Sequence, residues 1–116
     1  MSIRTERVAE EIRHQLADVL KKELGEMQLG LVTVTKVTVS PDLKNSKIYL
    51  SFIGNKEPAE KCIDKVNLRK KQIRMGLSRK LSLRFMPEIS FFYDDTIEYA
   101  NRIEELIKEI HKEDGK

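Results

Sequence analysis

The sequence has few residues of the kinds that give a small protein covalent or metal cross-links. Cys62 is the only cysteine among 116 residues, which excludes an internal disulfide and a cysteine cluster around a metal. A lone thiol usually packs as a small hydrophobic residue, and we expect that role for Cys62. The hydrophobic share is 40%, which is enough for an ordinary core.

Long apolar segments are also absent. No run of eighteen apolar residues occurs, so no transmembrane helix is expected. The first residues, MSIRTERVAEEIRHQL, are charged almost at once and contain no apolar signal core. The length suits a single domain over residues 1–116. We therefore expect a cytoplasmic protein that does not bind membranes.

No constellation typical of catalysis is present. His14 and His111 are the only histidines, and both lie in strongly charged segments typical of surface helices. Neither a Ser/His/Asp or Cys/His pattern, nor metal-ligand spacing, nor a P-loop occurs. Asp94 and Asp95 are explained by capping of a following helix. The sequence thus predicts a non-enzymatic protein without a metal or cofactor.

Positive charge is concentrated in one segment, residues 61–84. It holds nine basic residues and a single acid, Asp64, so its net charge is +8, whereas the remainder carries 13 basic and 18 acidic residues. Such a separation produces a local positive field that attracts a polyanion. The nine basic residues are Lys61, Lys65, Arg69, Lys70, Lys71, Arg74, Arg79, Lys80 and Arg84.

This basic segment could be only a solvated helix face, which is the usual role of a charge run. Its charge is almost entirely positive, which argues against that role, because solvated helices tend to mix Glu with Lys in supporting pairs. We therefore interpret it as a nucleic-acid contact that binds phosphate, with strong salt dependence and weak sequence selectivity. The aromatic residues Phe91, Phe92 and Tyr93 are better explained by a strand than by base stacking.

The first half of the chain predicts a helix followed by two strands. Apolar residues at helical spacing predict a helix over residues 5–24, with Thr5 as its N-cap and Gly25 at its end. Residues 31–40 and 47–53 predict strands, paired antiparallel around a turn at Pro41. The apolar alternation changes parity within the first strand, which predicts a bulge at Thr35 or Lys36.

The second half predicts an interrupted helix, a strand and a final helix. Helical spacing runs from Pro58 to about Arg84, but charge fills the apolar stripe between Val66 and Ile73. We therefore expect two helices joined by a kink within residues 67–71, with Gly76 as a competing kink site. Pro87 should stop the second helix, residues 89–94 form a third strand, and Asp95 with Glu98 resembles a capping box.

A final helix carries an apolar face, and the tail at 112–116 should fray. The apolar face comprises Ile97, Ala100, Ile103, Ile107 and Ile110. The expected order is α-β-β-α-α-β-α. The simplest packing is an α+β domain in which helices cover one face of a three-stranded sheet.

Three segments carry a family resemblance that extends over about residues 4–110. They are RTERVAEEIRHQLADVL, VSPDLKNSKIYLSF and LRFMPEISFFYDDTIEYANRIEELI. Together they resemble the ribosome-binding factor A family. The resemblance implies a type II KH domain that binds the free 30S ribosomal subunit through 16S rRNA. It also implies a role in late subunit maturation, in processing of the 5′ end of that rRNA, and in growth in the cold.

The chain departs from the family at the helix kink. Most KH domains carry a Gly-x-x-Gly loop whose bare backbone can clamp phosphates, and the family replaces this loop by a three-residue kink containing Ala and Gly. A gapless alignment from Pro87 places that kink on Arg69, Lys70 and Lys71. We hypothesise that these side chains, instead of backbone amides, reach the phosphates.

Two interpretations from different classes follow. The leading one is a ribosome assembly factor, and the family implies an assembly GTPase beside it. The alternative is a protein–protein interaction module whose basic helix binds an acidic partner. A small transferase on a similar sheet would need a catalytic constellation that the sequence lacks. Nothing in the sequence indicates an obligate dimer, so we expect a monomer.

Overall fold

The computed structural model of the chain describes residues 3–96. The predicted final helix, its capping residue Glu98 and the tail at 112–116 lie outside the described residues. Within them, no helix is long and apolar enough to cross a membrane. The elements are α1 (Ile3–Leu24) with a 3₁₀ turn at Gly25–Met27, β1 (Leu31–Val39), β2 (Asn45–Ile53), α2 (Ala59–Leu68), α3 (Lys70–Lys80) and β3 (Glu88–Tyr93).

Helix α1 forms where the apolar spacing predicts it, and its stripe from Val8 to Leu24 is buried. The predicted N-cap is wrong, because α1 begins at Ile3 and Thr5 lies inside its first turn. Thr5 is only 3% exposed. It lies three positions before Val8, so it falls on the core side of the helix.

Strands β1 and β2 pair antiparallel, as predicted. Their register shifts between Val34 and Lys36, so Thr35 is the extra residue of a bulge. Because of this bulge, Val34 pairs with Leu50 and Val37 pairs with Ile48, which places valines of opposite parity on one face of the sheet. The predicted bulge is confirmed.

Strand β2 is central, since β3 pairs with its other edge in a parallel register. A parallel neighbour requires a crossover, and α2 with α3 provides it. Ile48 pairs with Phe91 and Ser46 with Ile89, so these residues share the face that carries the core. Helix α1 packs on β1, α2 packs on β2 and β3, and α3 packs on α1 and β3.

The long helical segment is interrupted at Arg69, within the predicted kink region. The Arg69 N–H donates to the Val66 carbonyl at 3.0 Å, and the Arg69 carbonyl accepts from the Ile73 N–H at 2.9 Å. Gly76, the competing site, lies inside α3 instead. An added Cβ at Gly76 would lie 3.2 Å from Cγ1 of Val19, so this glycine permits close packing of α3 on α1.

Helix α3 ends at Lys80 and not near Arg84, so the predicted end is wrong. Leu81 has an extended backbone with φ −100° and ψ 141°. Leu81 and Leu83 are both half-buried and pack on the core two residues apart, a spacing that suits extended chain better than helix. Residues 81–87 therefore form a loop of their own before β3.

The bulge is tied to the end of β3 by a side-chain bridge. The Thr35 hydroxyl donates to Asp94 Oδ2 at 2.6 Å, and the Tyr49 carbonyl oxygen lies 3.2 Å from the same hydroxyl. The Thr96 N–H donates to Asp94 Oδ1 at 3.0 Å. These hydrogen bonds, that of Thr35 foremost, hold the pKa of the Asp94 carboxyl below its usual value.

We predict that Thr35→Val lowers the free energy of unfolding by about 1 kcal/mol at neutral pH, because Asp94 loses its hydroxyl donor. The folded pKa of Asp94 is depressed, so its contribution is present above the unfolded pKa and is lost as pH falls through the folded pKa. The difference in free energy of unfolding between variant and parent should therefore become smaller as the pH is lowered, as measured by urea denaturation. Thr33→Val, on the same strand, is the control. If the difference in free energy of unfolding between Thr35→Val and the parent is the same at all pH values, the hydrogen bond from Thr35 to Asp94 does not contribute as proposed.

Candidate nucleic-acid interface

The nine predicted basic residues lie along α2, the kink, α3 and the loop that follows. Lys61, Lys71, Arg79, Lys80 and Arg84 are exposed, whereas Lys65, Arg69, Lys70 and Arg74 are half-buried. The buried residues of both helices belong to the hydrophobic core. We call the opposite side of the two helices, which carries most of this charge, the basic helical surface.

Helical spacing explains how the charges come to share a surface. In α3, Lys71, Met75 and Arg79 follow one another at intervals of four residues and are all exposed, so they form one stripe. In α2, Lys61 and Leu68 are seven residues apart and are likewise exposed. Each of the two helices therefore has its buried residues on one side and these exposed residues on another.

The kink is held against the sheet. Asn67 Nδ2 donates to the Phe91 carbonyl at 3.4 Å, which ties the last turn of α2 to β3. The first turn of α3 contains no acidic residue and its N-cap, Arg69, provides no side-chain cap. A helix N-terminus carries partial positive charge, so Arg69, Lys70 and Lys71 stand where cations are least favourable for folding and where an anion binds best.

Three of the nine cations, Lys65, Lys80 and Arg74, are partly neutralised within the protein. Lys65 Nζ lies 2.8 Å from Glu57 Oε1, and Lys80 Nζ lies 3.8 Å from Asp18 Oδ2. The hydrogen bond from Lys65 is the main reason why the pKa of Glu57 lies below its usual value. By contrast, no ion pair within residues 3–96 involves Lys61, Lys70, Lys71 or Arg79. The uncompensated charge therefore gathers around the kink and along the exposed stripe of α3.

Arg74 has a different role from its neighbours. Its Nη2 donates to the Met86 carbonyl at 2.7 Å and its Nε donates to the Pro87 carbonyl at 3.2 Å. Glu88 Oε1 lies 3.5 Å from the same Nη2. The guanidinium thus fastens α3 to the loop at 81–87, a function that the charge pattern alone did not reveal.

Three exposed apolar side chains near these charges escaped the sequence reasoning. Leu68 is 78% exposed beside the kink, Met75 is 50% exposed on α3, and Phe85 is 78% exposed in the loop after α3. The exposure of Leu68 could have been predicted from its position on the charged side of the helical pattern. The exposure of Phe85 was not predicted because the helix was expected to continue almost to this residue.

The remaining candidates are placed as follows. Cys62 is buried, as expected, and its Sγ lies 3.6 Å from the Glu57 carbonyl oxygen. His14 is exposed on α1.

Phe91 is buried in the core, whereas Phe92 is 41% exposed and its ring centroid lies 5.6 Å from that of Tyr49. Among the residues that the structure describes, no group of three His, Cys, Asp or Glu side chains could hold a metal ion.

Comparison with known proteins identifies relatives over most of the chain. The sequence model of ribosome-binding factor A matches residues 4–107. The crystal structure of ribosome-binding factor A from Thermus thermophilus superposes with a TM-score of 0.67 at 19% identity, over 77% of this chain and 94% of that one. A solution structure of a Thermotoga maritima protein, described as a candidate ribosome binding factor A, superposes with a TM-score of 0.66 at 27% identity. The match covers 84% of this chain and 93% of that one.

A third structure is a homology model of the Thermus thermophilus factor, fitted into the cryo-electron-microscopy map of a 30S–ribosome-binding-factor-A complex. It gives a TM-score of 0.61 at 20% identity, over 74% of this chain and 90% of that one. These likenesses establish the predicted fold class, an α+β domain of KH type with a three-stranded sheet.

We predict that Arg74→Met lowers the free energy of unfolding by about 1–3 kcal/mol, because two loop carbonyls lose their donor. Arg79→Met, an exposed position on the same helix without an ion pair among the described residues, is the matched control and should change stability little. Chemical denaturation of both variants measures the difference. Equal stability of the two variants would show that the guanidinium does not hold the loop.

Proposed function

This chain belongs to the ribosome-binding factor A family, and we propose that it binds the 30S ribosomal subunit through 16S rRNA. There it assists late maturation of the subunit, including processing of the 5′ end of the rRNA. The observation that carries the proposal is the set of uncompensated cations at the start of α3. They reduce helix stability in the free protein, and rRNA phosphates would offset that cost.

The proposed contact surface comprises all nine basic residues, but they would contribute unequally. Lys61, Lys70, Lys71 and Arg79 have no ion pair among the described residues, so they lose least when they bind phosphate. Lys65 and Lys80 must first give up an acidic neighbour. Arg74 supports the surface through its bonds to the loop. Arg69 at the kink and Arg84 in the loop complete the set.

This surface is suited to holding RNA in place and not to catalysing a reaction on it. Lysine and arginine contacts to phosphate position an RNA without reading its sequence. Selectivity would come from the shape of the rRNA and from unstacked bases. Leu68, exposed beside the kink, is an apolar surface on which such a base can lie. The protein would hold a flexible rRNA region until maturation proceeds and then leave.

The wider setting follows from the same proposal. The factor would work in the cytoplasm as a monomer, without cofactor or catalytic step, and its role would be greatest in the cold, where misfolded RNA rearranges slowly. An assembly GTPase acting beside it would couple its departure to subunit maturation.

Sedimentation with purified ribosomal subunits tests the function directly. We expect the protein to sediment with the 30S subunit at low salt and to dissociate progressively as salt is raised, because phosphate contacts release counterions. The 50S subunit serves as the control for non-specific attraction. Absence from the 30S fraction at low salt contradicts the proposal, and retention by an acidic protein alone would favour the protein-binding alternative.

A paired substitution tests the surface. Lys70→Gln with Lys71→Gln should weaken 30S binding and reduce the salt dependence by about two phosphate contacts. It should also raise the free energy of unfolding by about 0.3–1 kcal/mol, because two cations leave a helix N-terminus. The matched control is Lys21→Gln with Lys22→Gln, an exposed tandem lysine pair in the last turn of α1. The control should lose a little stability and keep its binding, and identical binding by both double variants contradicts this surface.

A further inference from the structure

A second surface lies at the other end of α3, in the loop that follows it. Phe85 is 78% exposed there, and the Arg84 guanidinium carbon lies 5.5 Å from its ring centroid. Both residues border a groove of about 690 Å³ between this loop, the start of α1 and the turn before β2. An aromatic side chain this exposed contributes little to the core, and its ring is accessible to a ligand.

The backbone around Phe85 is fixed. The next residue, Met86, has its carbonyl bound by Arg74 at 2.7 Å. Pro87 is fully buried, and the Glu88 N–H donates to the Lys44 carbonyl at 2.9 Å. A ligand that stacks on Phe85 therefore meets a platform that is already ordered, which lowers the entropic cost of binding.

The groove is also suited to negative charge. Arg4, Lys44 and Arg84 line it, and none of them forms an ion pair among the described residues. Two acids line it as well, but both are engaged. Asp42 Oδ1 accepts from the Ser40 hydroxyl and from the Lys44 N–H, while Glu88 lies 3.5 Å from Arg74.

From this arrangement we propose that the groove binds one unpaired nucleotide of RNA. The base stacks on Phe85 beside Arg84, and the phosphate lies against Arg4 and Lys44. Stacking on an aromatic ring combined with a cationic groove is the usual way in which proteins hold single-stranded RNA. The inference rests on the proposed function for the presence of RNA, but it concerns a groove whose lining shares only Arg84 with the nine basic residues of the proposed contact surface.

A tryptophan reporter tests stacking at this residue. The chain contains no tryptophan, so Phe85→Trp places a single fluorophore in the groove. We expect decauridylate, an unstructured RNA, to quench its fluorescence at saturation, because a base lies on the ring. Inorganic polyphosphate of similar length carries the charge without bases and should bind without comparable quenching. Equal quenching by both ligands, or quenching by neither when decauridylate is bound, overturns stacking.

Truncation measures the contribution of the ring. Phe85→Ala should bind decauridylate on the order of tenfold more weakly than the parent, with an unchanged circular dichroism spectrum. Ile53→Ala is the matched control, since Ile53 is 56% exposed but lies on the sheet, outside the groove. It should bind like the parent.

The outcomes separate this inference from the proposed function. If the parent binds both the 30S subunit and decauridylate, and Phe85→Ala binds them equally well, stacking is wrong while the function stands. A loss of subunit binding without a loss of RNA binding would mean that Phe85 contacts a ribosomal protein, which also overturns the inference. A parent that binds the subunit but not decauridylate overturns it too. A parent that binds neither overturns the proposed function itself.

Discussion

The buried stripe of the helical segment is broken by charged residues between Val66 and Ile73, and this break determines where the segment bends. One straight helix would carry charge into the core at this point, so α2 ends at Leu68 and α3 begins at Lys70. The interruption creates a second helix N-terminus in the middle of a basic segment. The requirement of the core and the proposed phosphate contact therefore have the same origin in the local sequence.

The sequence predicted those features that depend on periodicity. The parity change in β1 allowed only a bulge near Thr35, because otherwise valines would leave the core face. The charged gap after Val66 allowed only a kink. Both deductions were correct because side-chain spacing determines which face a residue occupies, and the hydrophobic requirement then permits one arrangement.

What the sequence could not predict depends on contacts between distant residues. Arg74 looks like the other cations in composition and spacing, yet its guanidinium is bound to carbonyls of the loop before β3. Thr5 looks like a cap but belongs to the core stripe of α1. The early end of α3 left a weak signal, the two-residue spacing of Leu81 and Leu83, but the helical spacing was expected to continue to about Arg84. The residues that contact RNA remain a prediction.

Arg74 connects the two proposed contacts. It leaves α3 one turn after Lys70 and Lys71, and it binds Met86 and Pro87 beside Phe85. A flexible loop would lose conformational entropy on binding RNA, and a loop fixed by a guanidinium loses less. The charge pattern alone would assign Arg74 to phosphate, where it would be one contact among nine. As a link between helix and loop it keeps the cationic helix and the aromatic platform on one rigid body, and a rigid arrangement of weak contacts can recognise the shape of an rRNA segment when no single contact reads a base.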